Sequence, residues 1–288
     1  LVLGLGDGEN FAASDIPAIL PYTRRMVFLD EREIAAITPD AVRIESLDGK
    51  PVKREPRTIS WSLVQAEKGG YKHFMLKEIF EQPRAVEDTI RGRLTFLDGP
   101  VVPEALGVDR ALMGGVRRIL LLACGTSYHA ALYGRYLVEK TVGIPASAEI
   151  ASEFRNRSPV VLKDDLVVAI SQSGETIDTL QALKKAKAGG AKILAIVNVL
   201  DSAIARASDM VIYTHAGPEI GVASTKCFTA QLAALVLLAA ALGSAREGAG
   251  PWKQEAVRLV RGLIRIPLLM NAVLGAAGLV EALARKFT

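Results

Sequence analysis

The runs Ile119-Leu120-Leu121-Leu122-Ala123 and Leu166-Val167-Val168-Ala169-Ile170 are apolar at every position. A strand with one wet face alternates apolar and polar residues, so an unbroken apolar run means burial on both faces, as in a parallel sheet covered by helices. A helical pattern follows each run, over about Tyr128–Val142 and over Ile177–Ala188. Ala146–Ile150, Ile193–Val197 and Met210–Tyr213 complete about five strands. Strand and helix in alternation predict a doubly wound α/β sheet with right-handed crossovers. Ligands of such sheets bind beyond the carboxyl ends of the strands.

Three segments at those ends are rich in Gly, Ser and Thr. They are Cys124-Gly125-Thr126-Ser127, then Ser171-Gln172-Ser173-Gly174-Glu175-Thr176, then Ala216 to Lys226. The second is the most informative, because it joins a buried strand to the start of a helix. A helix N-terminus presents N–H groups without intrahelical partners and partial positive charge. Gly174 lets the backbone approach a ligand closely. The six residues hold no Lys or Arg, so their donors are hydroxyls, an amide and backbone N–H, a set suited to the phosphate of a small metabolite. Glu175 and Glu219 are candidate acids or bases, with capping and loop order as the stronger expectation. Cys124 is expected as a small residue at a strand end, and Cys227 as core. Lys226 is read either as a point charge for phosphate or as a helix-surface lysine.

Composition excludes several classes. A net charge of +4, without a dense basic face, gives no footprint for nucleic acid. Two cysteines make no disulfide framework and fit a reducing cytoplasm. Three histidines without matching ligand spacing give no metal site, and Gly4-Leu5-Gly6-Asp7-Gly8 lacks dinucleotide spacing, so no cofactor is expected. The run Leu232–Leu242 is shorter than the ~20 residues a membrane span needs and reads as a buried helix.

Residues 1 to about 65 read as short strands and turns, with strands near Met26–Leu29 and Ala41–Leu47 and a hairpin at Asp48-Gly49. A short helix over Asp15–Leu20 has Asp15 as its expected cap. Tyr71–Pro83 reads as a helix inside a connector that ends in Asp98-Gly99-Pro100, and Trp252–Lys286 as helical with a break or kink at Pro267.

At these residues the chain resembles the isomerising glutamine–fructose-6-phosphate aminotransferases, the glucosamine-6-phosphate synthases. The matching words are Cys124–Ser127, Ala151-Ser152-Glu153-Phe154-Arg155, Ser171–Thr176 and Glu219–Lys226, with Gly4–Phe11, Ala13–Asp15, Thr23–Arg25 and Tyr71–Pro83 before them. The resemblance implies the end of a glutaminase domain over 1–65, a connector over 66–105, a first sugar isomerase (SIS) domain over 106–250, and a helical segment over 251–288 leading to a second SIS domain. It implies phosphate binding by Ser127, Ser171, Gln172, Ser173 and Thr176, and sugar contacts by Cys124, Gly125, Thr126, Val222 and Ser224. The implied ligands are fructose 6-phosphate and glucosamine 6-phosphate, and the implied assembly is a cytoplasmic homodimer that needs no membrane.

The family's glutaminase nucleophile, isomerase base, ring-opening histidine and Schiff-base lysine have no counterpart in these residues. The resemblance therefore implies an internal part of the enzyme that binds the sugar phosphate and by itself catalyses neither half-reaction. A non-catalytic sugar-phosphate-binding SIS module is the rival reading. A stand-alone isomerase would need its own base, and a sugar-phosphate-sensing regulator a helix-turn-helix.

Overall fold

The structure, a computed structural model, describes residues 1–14, 16–30, 32–59, 68–94, 101, 103–110, 115–245 and 250–287. Asp15 and Asp98-Gly99-Pro100, the expected cap and connector end, lie outside them. The chain forms two compact units, Leu1–Gly70 and Tyr71–Thr288.

The first unit is built of short antiparallel strands. Strands β1 (Val2–Leu5), β2 (Asn10–Ala13), β3 (Arg25–Phe28) and β7 (Arg57–Thr58) form one sheet in the order β2-β1-β3-β7, and the short helix α1 covers Ile16–Ile19. A second sheet joins β4 (Glu33–Ile37), β5 (Val42–Ser46) and β6 (Pro51–Val52). The hairpin expected at Asp48-Gly49 connects β5 to β6, and Gly49, at φ +75°, supplies the left-handed residue this turn needs. Leu3, Val27 and Ile44 form one buried cluster of this unit, and Ile19 and Met26 are buried as well.

The second unit contains the parallel sheet. Strands β8 (Arg118–Ala123), β9 (Ala146–Ile150), β10 (Asp165–Ser171), β11 (Lys192–Val197) and β12 (Met210–Tyr213) run parallel in the order β12-β11-β10-β8-β9. All seven residues of β10 are buried. Alternate residues of the strands enter two separate cores. Leu121, Ile170 and Ile196 meet the helices α3 (Gly125–Val142), α7 (Lys226–Ala245) and α8 (Gly250–Leu274) on one face. On the other, Leu122, Val167 and Ala195 meet α4 (Ala151–Asn156), α5 (Ile177–Ala188) and α6 (Ala203–Ala207). That division is the doubly wound arrangement the apolar runs predict.

Four details depart from the sequence-based expectations. Helix α2 spans Phe74–Ile90 and runs through Pro83 rather than stopping there. The proline frees the carbonyl four residues back, and the Gln82 side-chain amide donates to that Ile79 carbonyl at 2.9 Å, restoring the lost bond. Helix α3 starts at Gly125, three residues early, because Gly125 at φ +57° turns the chain directly out of β8. Helix α8 continues through Pro267 to Leu274, and the bend, of 42°, falls before α9 (Ala277–Ala284). Finally, α7 is long and apolar enough to cross a membrane, yet it is mostly buried against the sheet, α2, α3 and α8.

Helix α8 is tied to α3 by charge as well as by packing. The Glu255 carboxylate lies 2.6 Å from Arg258 Nη2 and 3.2 Å from Lys140 Nζ of α3. The Arg258 hydrogen bond, with a smaller share from Lys140, holds the carboxyl at about 2 against an ordinary 4.5. A carboxyl depressed on folding stabilises above its unfolded value and loses that contribution as pH falls through the folded one. The cluster is near the surface, so screening limits the gain to at most ~1 kcal/mol. Glu255→Gln is expected to lower the urea midpoint near neutral pH and to leave it unchanged near the folded pKa of about 2. Equal losses at both pH values in urea titrations would contradict this.

Candidate functional site

The strand order reverses direction between β8 and β10: the chain leaves β8 for β9 on one side and β10 for β11 on the other. The helices that follow these two neighbouring strands, α3 and α5, lie on opposite faces, the arrangement in which the loops at the two carboxyl ends diverge and such sheets place their ligand crevice. Both helices start there. Their capping residues, Cys124 and Thr176, are extended and make no side-chain capping bond, which leaves first-turn N–H groups of both helices available to a ligand.

The first loop is short. Cys124 is half-buried, Gly125 and Thr126 are exposed, and Ser127 is buried within the first turn of α3. Thr179 Oγ1, on α5, lies 3.9 Å from Cys124 Sγ and brings the first and second loops together.

The second loop is organised by its own hydroxyls. Ser171, the last residue of β10, is buried; its Oγ accepts from Gly174 N–H at 3.0 Å and lies 3.0 Å from Thr176 Oγ1. Ser173 Oγ accepts from Glu175 N–H at 3.2 Å. Gln172 and Ser173 are half-buried. Gly174 has φ +66°, and a Cβ there would collide with Ser202 Oγ, so both the backbone and the space require glycine. Glu175 turns away from the crevice, and its Oε1 accepts from Ala203 N–H at 2.7 Å, at the start of α6.

The third loop, after β12, is held by Glu219. Its Oε1 accepts from Thr225 N–H at 2.8 Å and Cys227 N–H at 3.1 Å, and its Oε2 accepts from Ser224 Oγ at 2.8 Å. Glu219 therefore caps α7 from within the loop, and Ser224 is oriented by it. Val222 is fully exposed. Cys227 has no exposed surface, and burial, reinforced by the Glu219 carboxylate, pushes its thiol well above the ordinary value, which keeps it unreactive. Both carboxylates of these loops thus serve structure, as expected. Lys226 departs from both readings: it is buried, with Nζ 2.7 Å from Glu81 of α2, and is neither a surface lysine nor aimed at a ligand.

Sequence reading missed the residue that ties the loops together. Asn198 follows β11 and is buried; its N–H donates to Gln172 O in the second loop at 3.1 Å. Its side chain accepts from Thr214 Oγ1 at 2.9 Å and Ala216 N–H at 2.8 Å, and donates to Gly217 O at 2.7 Å, all in the third loop. No local pattern marks it, because all its partners lie in other loops. Among the described residues, no group of three or more His, Cys, Asp or Glu is placed to hold a metal ion. What the arrangement can do chemically is surround a small anion with neutral donors.

Residues 113–241 match the family model of the SIS domain. Over 287 residues the chain is 50% identical to the isomerising glutamine–fructose-6-phosphate aminotransferase of Aquifex aeolicus and 48% identical to that of Thermus thermophilus. These alignments cover 100% of this chain but 45% and 46% of those proteins, so the chain spans about half the length of the curated relatives it matches. Among solved structures, the C-terminal domain of glucosamine-fructose-6-phosphate aminotransferase from Francisella tularensis is similar at a TM-score of 0.70 and 40% identity, over 77% of this chain and 61% of that one. A glucosamine-6-phosphate deaminase from Thermotoga maritima, at 23% identity and a TM-score of 0.50 over 65% of this chain and 52% of that one, shares the fold alone.

The parallel sheet with its switch-point crevice is thus a SIS domain. The chain that carries it belongs to the isomerising glutamine–fructose-6-phosphate aminotransferase family, as its loop sequences imply.

Gly174→Ala is expected to cost about 1–3 kcal/mol from the left-handed backbone alone, with the Ser202 collision added. Urea unfolding checks this, and unchanged stability would mean that the second loop is not held as described.

Proposed function

We propose that the crevice between β8 and β10 binds fructose 6-phosphate, and glucosamine 6-phosphate as product, within a glutamine-dependent amination of the sugar. The observation that carries this reading is the convergence of two uncapped helix N-termini with the hydroxyls of Ser127, Ser171, Ser173 and Thr176. A phosphate dianion is well served by N–H and O–H donors at helix starts. Gln172 completes the phosphate set. Cys124, Gly125, Thr126, Val222 and Ser224 lie on the flanking loops and take the sugar. The names of the relatives support this choice of ligand, since the aminotransferases of Aquifex and Thermus are named for fructose 6-phosphate.

In this reading the chain supplies binding and orientation. Glu175 and Glu219 accept from backbone N–H groups, so neither is free to move a proton in the reaction. The reacting groups belong to other parts of the enzyme. A second copy of the chain is the proposed partner, supported by the exposed apolar residues Leu268, Val273, Leu279 and Val280 on α8 and α9. A cytoplasmic location follows from the substrate class.

Calorimetric titration tests the assignment. Fructose 6-phosphate is expected to bind saturably, and free fructose not to bind. Thr176→Val, which removes one hydroxyl near the charged group, is expected to weaken fructose 6-phosphate by about tenfold. Glucosamine 6-phosphate formation from fructose 6-phosphate and ammonia is expected to stay at the blank level with this chain alone. Equal binding of fructose and its phosphate would refute the phosphate assignment, and turnover would refute the division of labour.

A further inference from the structure

Helix α2 lies outside the residues that match the SIS model, yet three of its polar side chains, Glu78, Glu81 and Thr89, bond to the third loop or to the start of α7 that follows it. Glu78 is 2% exposed. Its Oε1 accepts from Ile220 N–H at 2.6 Å and from Gly221 N–H at 3.1 Å, and Oε2 lies 3.2 Å from the same Gly221 nitrogen. A Cβ on Gly221 would stand 2.6 Å from Oε2, so the absence of a side chain there is what lets the carboxylate close on two successive N–H groups. One turn further along α2, Glu81 pairs with buried Lys226. At the other end of the helix, Thr89 Oγ1 lies 2.6 Å from Thr214 O, and Arg93, three residues beyond the helix, donates to Tyr213 O at the end of β12. Both ends of the loop are therefore fixed to one helix, while Val222 and Ala223 between them stay exposed.

A buried carboxylate is a costly way to dock a helix, since burying a charge is unfavourable unless its hydrogen bonds are well made. What it adds over an apolar contact is direction: two N–H groups can meet one carboxylate in few geometries. We infer that Glu78 is a positioning residue for sugar binding, holding the 219–225 loop so that Val222 and Ser224 meet the sugar while the phosphate is held elsewhere, by the second loop. This rests on the sugar-phosphate reading above. It separates two functions within one crevice: loss of Glu78 should act on recognition of the sugar and spare recognition of the phosphate.

The test uses the full chain and Glu78→Gln, which keeps the size of the side chain and loses its charge, setting an N–H donor near loop N–H groups. Two readouts are needed: amide exchange without ligand, and titration with fructose 6-phosphate and with inorganic phosphate. Exchange at Ile220 and Gly221 is expected to rise about tenfold or more while that of β10 stays unchanged. Affinity for fructose 6-phosphate is expected to fall about tenfold, and that for inorganic phosphate to stay within about twofold. Should Glu78→Gln fail to fold, Gly221→Ala presses on the same carboxylate from the loop side and is expected to give the same split. Unchanged loop exchange, or equal weakening of both ligands, would overturn the inference. A wild-type chain that binds neither ligand, with Glu78→Gln still freeing the loop, would sink the sugar-phosphate reading and leave Glu78 as the anchor of the loop.

Discussion

The parallel pairing of β10 with β8 governs the rest of the second unit. Six residues of β10 are in register with β8 from Asp165–Arg118 to Ile170–Ala123, and every residue of β10 is buried. A strand buried on both faces and both edges can present polar chemistry only at its ends. At the amino end, Asp165 is closed by Arg118, 2.5 Å away, and by Leu162 N–H at 2.7 Å. At the carboxyl end the chain continues into hydroxyls and a left-handed glycine, beside the start of α3 from the neighbouring strand. The crevice is thus a consequence of winding the two halves of the sheet in opposite directions.

Charge is used sparingly around that crevice. Glu175, Glu219 and Glu78 accept from backbone N–H groups of loops or helix starts, and Lys226 is neutralised by Glu81. The other polar groups of the first two loops are neutral hydroxyls, an amide and helix N–H donors. Such a set gives an anion several directed hydrogen bonds without a buried cation, whose desolvation would have to be offset when the site is empty. The loops gain their rigidity from each other: Asn198 links the second to the third, and α2 fixes the third at both ends.

Much of this is legible in the sequence because it is local. The apolar runs of β8 and β10 announce two-sided burial, and the hydroxyl- and glycine-rich segment after β10 announces a strand that opens into a helix. What escapes is long-range. Glu78 reads as an ordinary charge on an amphipathic helix, because its partners Ile220 and Gly221 lie 142 and 143 residues away. Asn198 sits in an unremarkable turn after β11. Helices α4 and α6, of six and five residues, are too short for a periodicity to register. Pro83 misleads for a physical reason, since the rule that proline ends a helix assumes that no side chain replaces the missing donor, and Gln82 does so.

The claim on which the functional account turns is that a sugar phosphate sits at the switch point, with its phosphate on the second loop. A crystal structure of the chain saturated with glucosamine 6-phosphate tests it most directly. The expected result places the phosphate between the starts of α3 and α5, within hydrogen-bond reach of the Ser171, Ser173 and Thr176 hydroxyls. A phosphate bound elsewhere at saturation, with those three hydroxyls unliganded, would contradict the account.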